Sequence, residues 1–75
     1  MRVQTFKATR LKLGMSQAAF AEYLGISEST VAAIENNRRV ISDVVRGKLA
    51  ERIAVNEELL AFFKAYEKIV NTYPS

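Results

Sequence analysis

The sequence contains no cysteine and no histidine. Without thiols there is no disulfide framework and no thiolate metal site, and without imidazole the commonest metal ligand and general base are missing. There is also no glycine-rich loop to cradle a phosphate, and no pair of carboxylates at a spacing suited to general acid and base work. These absences argue against an enzyme, and no cofactor or metal is expected. No stretch approaches the ~18 uninterrupted apolar residues of a membrane span. The N-terminal MRVQTFKATR lacks the apolar run of a secretory signal, so a cytoplasmic protein off the membrane is expected. Internal repeats and low-complexity segments are absent as well.

At 75 residues the chain is long enough for one domain. So small a core supplies only marginal stability, which self-association or an unusually apolar helix would raise. The net charge of +3 is unevenly spread: residues 1–54 hold nine Lys/Arg against five Asp/Glu, and residues 55–75 hold two against three. A basic part that meets phosphate and a second part that packs on protein would show this asymmetry, but so would an ordinary soluble domain.

The most informative stretch is 17–37, QAAFAEYLGISESTVAAIENN. Phe20, Ala21 and Leu24 keep one helical face apolar before Gly25, and Ile26, Val31 and Ile34 do so after it. Ser16 and Ser27 are placed to cap the free N–H groups of two successive helices. Met15 with Phe20, and Ile26 with Val31, have the spacing of a hydrophobic staple across each start. Gly25 can take positive φ, so the chain can turn sharply there, and the small Ala21 lets the second helix cross the first closely. The pattern is a helix-turn-helix, with an ordinary helical hairpin as the plainer reading.

Around it, residues 3–13 read as a first helix with Val3, Phe6, Leu11 and Leu13 toward the core, stopped by Gly14. Gln17 sits where a helix N-terminus suits a phosphate, although a surface glutamine is the simpler account. After the cap at Ser27, the outer face of the next helix carries Glu28, Ser29, Ala32, Ala33 and Asn36. Ser29 can donate to or accept from a base edge, Glu28 can accept from cytosine N4, and the alanine methyls can meet a thymine methyl. Glu28 has a competing role as a first-turn acid stabilised by the helix dipole. Asn36 and Asn37 tolerate the left-handed conformation that ends a helix. Arg38 and Arg39 then suit phosphate contacts or form a solvated basic loop.

Ser42 and Asp43 open a fourth helix through about Ala54, with Val44, Val45, Leu49 and Ile53 inward. Gly47 within it is a cost unless backbones approach closely there. Asn56 can cap a fifth helix, with Glu57 and Glu58 in its first turn and Pro74 beyond its end. Leu59, Phe62, Tyr66, Ile69 and Tyr73 follow 3-4-3-4 spacing, with Leu60, Phe63 and Val70 as a second apolar row. One row can pack on the preceding helices and the other would then mark an interface between protomers, unless both are intramolecular core.

Taken together, Arg10, the LGMSQAAFAEYLGISESTVAAIEN core and the Glu35-Asn36 that closes the reading helix resemble the Cro and phage-repressor (Xre-like) class of helix-turn-helix proteins, over about Phe6 to Leu60. The resemblance implies an all-α, compact, five-helix lambda-repressor-like bundle with an extended C-terminal helix, binding double-stranded operator DNA as a homodimer. By position, Gln17 corresponds to a phosphate-binding glutamine, Glu28, Ser29 and Ala33 to base-reading residues, and Ser27 and Asn36 to the backbone margin. Thr30, Asn37, Arg38 and Arg39 complete the expected DNA-facing set. Arg10 and Glu35 correspond to a partly buried salt bridge, which leaves Arg10 open between scaffold and phosphate contact. The chain departs from the family pattern at Asn37 and Ala54, where glycine is usual, at Ile41, where proline is common, and at Glu28, where glutamine is.

The expected organisation is a single helix-turn-helix domain over 1–75, with a core bundle at 5–54 and a C-terminal helix at 56–73 for dimerisation through Leu59, Phe62, Phe63, Tyr66, Ile69 and Val70. The expected function is a bacterial or phage transcription regulator that lays the helix over 27–36 in the major groove. The alternative is an adapter or antitoxin that uses the same scaffold to bind a protein such as an antirepressor or a toxin.

Overall fold

Side-chain caps begin four of the helices. In the computed structural model, which describes the backbone of residues 1–72 and the side chains of residues 1–69, α1 spans Val3–Lys12, α2 Gln17–Leu24, α3 Glu28–Glu35, α4 Asp43–Ala54 and α5 Glu57–Thr72. The hydroxyls of Ser16, Ser27 and Ser42 accept from the N–H groups of Ala19, Thr30 and Val45 at 3.1, 3.1 and 3.2 Å. The Asn56 Oδ1 accepts from Leu59 N–H at 2.9 Å. Each bond satisfies a donor that the helix itself leaves free. Tyr73 and Pro74, and the side chain of Val70, lie outside the described residues.

The turn between α2 and α3 depends on Gly25, whose φ of 71° is left-handed. With that residue reversed, the Ile26 N–H reaches back to the Ala21 carbonyl at 2.9 Å and closes the end of α2. From α4, the Lys48 Nζ donates to the Gly25 carbonyl at 2.9 Å and the Arg52 Nε to the Tyr23 carbonyl at 3.0 Å. Both cations thus meet the negative end of the α2 dipole. The Arg52 guanidinium also lies 5.3 Å from the centre of the Tyr23 ring. The angle at which α3 leaves α2 is therefore held from outside the motif as well as from within it.

The core is one cluster to which every helix contributes: Phe6 from α1, Phe20, Ala21 and Leu24 from α2, Val31 and Ile34 from α3, Val45, Leu49 and Ile53 from α4, and Leu59 from α5, with Ile41 from the α3–α4 connection. Phe6 and Phe20 meet edge to face with ring centres 5.1 Å apart, a favoured aromatic geometry. Met15 and Ile26, the two staple residues, pack against the cluster from its margin.

Two core expectations and one expectation for the dimerisation face are corrected. Leu11 is exposed, whereas Thr5 and Thr9 are fully buried. Leu11 lies five residues past Phe6, which at ~100° per residue turns it well away from the core. The threonines fall on the flank covered by α5, where the Thr5 hydroxyl donates to Glu67 at 2.7 Å and the Thr9 hydroxyl to the Thr5 carbonyl at 2.8 Å. Two hydroxyls can be buried there because both are paired. Val44 is exposed in the same way, since α4 buries the row Val45, Leu49 and Ile53 one step round. Leu59, expected on the dimerisation face, is buried in the core at 2 % exposure. It occupies the first turn of α5, next to its cap, where the helix is pressed against the rest of the bundle.

α5 packs on α1 and on α4. Phe62 leans toward α1, with the Lys12 ammonium 5.7 Å from its ring centre and the Tyr66 ring stacked at 5.8 Å. Leu60 and Phe63 turn toward α4, and Ile69 is exposed.

Gly47, in the middle of α4, is exposed, and a Cβ there would meet no heavy atom within 4 Å beyond the backbone of its own helix and its chain neighbours. No close approach requires it, so its backbone entropy is an uncompensated cost. Gly47→Ala should raise stability by about 0.5–1 kcal/mol in thermal or urea denaturation. Gly25→Ala should lower it, because an alanine there would be held in the left-handed region.

Candidate nucleic-acid interface

α3 packs on α1 and α2 through Val31 and Ile34, so the opposite face is available. Glu28 and Ser29 stand exposed on its first turn, Ala32 and Ala33 are half-buried along its side, and Asn36 is exposed at its end. Ser27 shares its cap oxygen with two neighbours, Ser29 Oγ at 3.1 Å and Thr30 Oγ1 at 2.7 Å. Three hydroxyls thus cluster at the start of the helix, each able to donate or accept.

The far end of α3 is closed by Asn37, which takes a φ of 60°. Its N–H bonds the Ile34 carbonyl at 3.1 Å, and the Arg38 N–H bonds the Ala33 carbonyl at 2.9 Å. This pins the backbone of Arg38 to α3 and leaves its side chain exposed. Arg39 folds back along α3, its guanidinium donating to Thr30 Oγ1 at 3.4 Å. Asparagine serves at this position because its short polar side chain tolerates the left-handed region. The two arginines end up beside the exposed face of α3.

The start of α2 is brought to the end of α3 by a buried carboxylate. Glu35 receives two hydrogen bonds from Arg10, Nε to Oε2 at 2.8 Å and an η nitrogen to Oε1 at 2.9 Å, and a third from the Gln17 amide at 3.2 Å. The other Arg10 η nitrogen donates to the Met15 carbonyl at 2.9 Å. The two charged side chains are only 11 % and 4 % exposed. Burial pushes the Glu35 carboxyl up, but the hydrogen bonds from Arg10 and Gln17 and the charges of Arg10 and Lys7 outweigh it, and the group is held below the usual carboxylate range. The Arg10 guanidinium is raised, chiefly by its hydrogen bond to Glu35. All three guanidinium nitrogens of Arg10 are engaged, which makes it part of the scaffold.

Gln17 keeps its carbonyl oxygen and its second amide proton beside the start of α2. Its contact to Glu35, and the grip of Lys48 and Arg52 on the end of α2, do not emerge from a reading of the helix-turn-helix alone. The i, i+4 spacing of Lys48 and Arg52 on α4 was the available signal, since it puts both on one face. No group of acidic, histidine or cysteine side chains among the described residues could hold a metal ion, and none of the described helices is long and apolar enough to cross a membrane.

A helix-turn-helix family model matches residues 6–60, most of the chain. The protein therefore belongs to the helix-turn-helix family, in its Cro and phage-repressor (Xre-like) class. It is a DNA-binding regulatory domain. No curated protein and no solved structure matches it.

Removing one partner from the partly buried Arg10–Glu35 pair strands the other charge away from full solvation. Arg10→Met should cost about 3–5 kcal/mol in chemical denaturation, and adding Glu35→Leu should recover most of that loss. The pH dependence follows from the lowered Glu35 carboxyl. Its contribution is complete above the unfolded carboxylate's titration and is lost as pH falls through the folded value. The stability gap between the native protein and Glu35→Gln should therefore narrow on acidification, as denaturation curves at successive pH values would show.

Proposed function

We propose that the protein is a transcriptional regulator that binds a two-fold operator as a dimer, each protomer laying α3 in a major groove. One observation carries this reading: the exposed face of α3, with Glu28 and Ser29 at its start, is flanked by Arg38, whose backbone is pinned to the far end of the helix, and by Arg39, whose guanidinium reaches back to Thr30. A helix presented with cations beside it suits a groove lined by phosphates.

The roles divide by chemistry. Glu28 accepts from cytosine N4, Ser29 bonds a base edge in either sense, and the Ala33 methyl meets a thymine methyl. Ser27, Thr30, Asn36 and Asn37 border the backbone. Arg38 and Arg39 neutralise phosphates, with Arg39 leaving its long contact to Thr30 to do so. Gln17 offers its remaining amide proton to a phosphate, together with the free N–H groups at the start of α2. Arg10 does not belong to this set, because moving it to DNA would unpair Glu35.

Counterion release makes such binding steeply salt-dependent, whereas an adapter or antitoxin that used only the C-terminal half would show no such slope. With duplexes selected from a random library, Arg38→Ala and Gln17→Ala should weaken selected and scrambled DNA alike, since phosphate contacts carry no sequence information. Ser29→Ala and Glu28→Gln should instead change preference at one or two base pairs, with about 1–3 kcal/mol at stake per contact. A second selection with each variant reads this out. An unchanged consensus for both would place the reading face elsewhere.

A further inference from the structure

An apolar groove of about 500 Å³ runs between α4 and α5. Ala50, Ile53 and Ala54 line it from α4 and Leu60 and Phe63 from α5, with Met1 beside them. Three charged residues share the lining, Arg46 and Lys64 against Glu67. No residue of α2 or α3 belongs to it, so an occupant leaves the face of α3 free. We propose that the groove binds a small organic anion, with an apolar body about 10 Å long and a carboxylate at one end. The volume is that of a small-ligand site, about 300–1,000 Å³, whereas a protein partner buries a face of about 800 Å².

Chain connectivity sets the length of the occupant. Val55 and Asn56 join the two helices, so Ile53, Ala54 and Leu60 lie at the joined end of the groove. Arg46 stands seven residues before Ile53, and Glu67 seven after Leu60. At 1.5 Å per residue that is about 10 Å along each helix. An extended chain of about eight carbons spans this distance. Each methylene that leaves water for the apolar walls is worth about four-fold in affinity, up to the length at which the chain emerges from the groove.

The charges decide the sign of the head group. Glu67 accepts from the Thr5 hydroxyl at 2.7 Å, which commits one of its oxygens to α1. Arg46 lies 3.9 Å from Asp43, whose side chain is 99 % exposed. So long and solvated a pair holds the guanidinium weakly and lets it change partners. No ion pair among the described residues engages Lys64. Two available cations against one committed acid favour a carboxylate over an ammonium or a neutral end.

Titration calorimetry of the native chain with straight-chain acids tests length and sign together, without DNA and so apart from the function proposed above. Octanoate should bind about ten-fold more tightly than hexanoate, and decanoate should gain little more because its last carbons stay in water. With the same chain, 1-octanol should bind about five-fold less tightly than octanoate, and octylammonium less tightly still. Arg46→Gln and Lys64→Gln, both at exposed positions, should bring octanoate down toward octanol and leave octanol unchanged. Ala50 and Ala54 are exposed as well, so Ala50→Phe and Ala54→Phe should fill the groove, keep the helical circular dichroism and abolish binding of every probe. Affinity that climbs steadily beyond octanoate, equal binding of octylammonium, or binding that survives both filling variants would overturn the site. So would the absence of saturable octanoate binding at millimolar concentration, which is the result expected if a protein surface, a second copy included, covers the groove instead.

Discussion

A carboxylate with 4 % of its side chain exposed is tolerable only with its charge answered, and the way Glu35 is answered organises the first three helices. Arg10 supplies two parallel hydrogen bonds from α1, and Gln17 supplies one from the start of α2. Because Glu35 lies in the last turn of α3, three helices meet at one group. Desolvation makes such a pair a doubtful source of net stability, but it makes an alternative arrangement expensive. The geometry in which α3 is presented is thus defended by the cost of leaving either charge alone.

The second constraint is at the other end of α2. Gly25 reverses the chain, and Lys48 and Arg52 bind the carbonyls that the reversal leaves exposed. α4 contributes nothing to the exposed face of α3, yet it fixes where α3 starts. Held at Gly25 by α4 and at Glu35 by α1, α3 keeps Glu28 and Ser29 on a face that is already ordered, so that in the function we propose little conformational entropy would oppose binding.

α5 shows how one helix divides its apolar surface. Its first turn, through Leu59, completes the core, the side with Phe62 and Tyr66 covers α1, and the side with Leu60 and Phe63 borders the open groove with α4. In a domain of this size there is not enough protein to cover every side of an apolar helix.

Local chemistry was legible in the sequence because it acts within a few residues. The caps at Ser16, Ser27 and Ser42, the reversal at Gly25, the left-handed Asn37 and the apolar stripe of α2 and α3 all depend on near neighbours, and each stands as read. Readings of helix phase went astray at Leu11 and Val44, and Leu59 proved to be core and not dimerisation face, because which side of a helix is inside depends on the neighbours that cover it. Thr5 and Thr9 are buried only because α5 lies over them and Glu67 is there to accept. Gln17 meets Glu35, and Arg52 meets Tyr23, across separations that no spacing rule spans. Sequence alone determined the helical elements and most of their ends. Tertiary structure decided which side chains are tied to one another, Arg10 and Gln17 to Glu35 among them, because a hydrogen bond between distant residues exists only after the chain has brought them together.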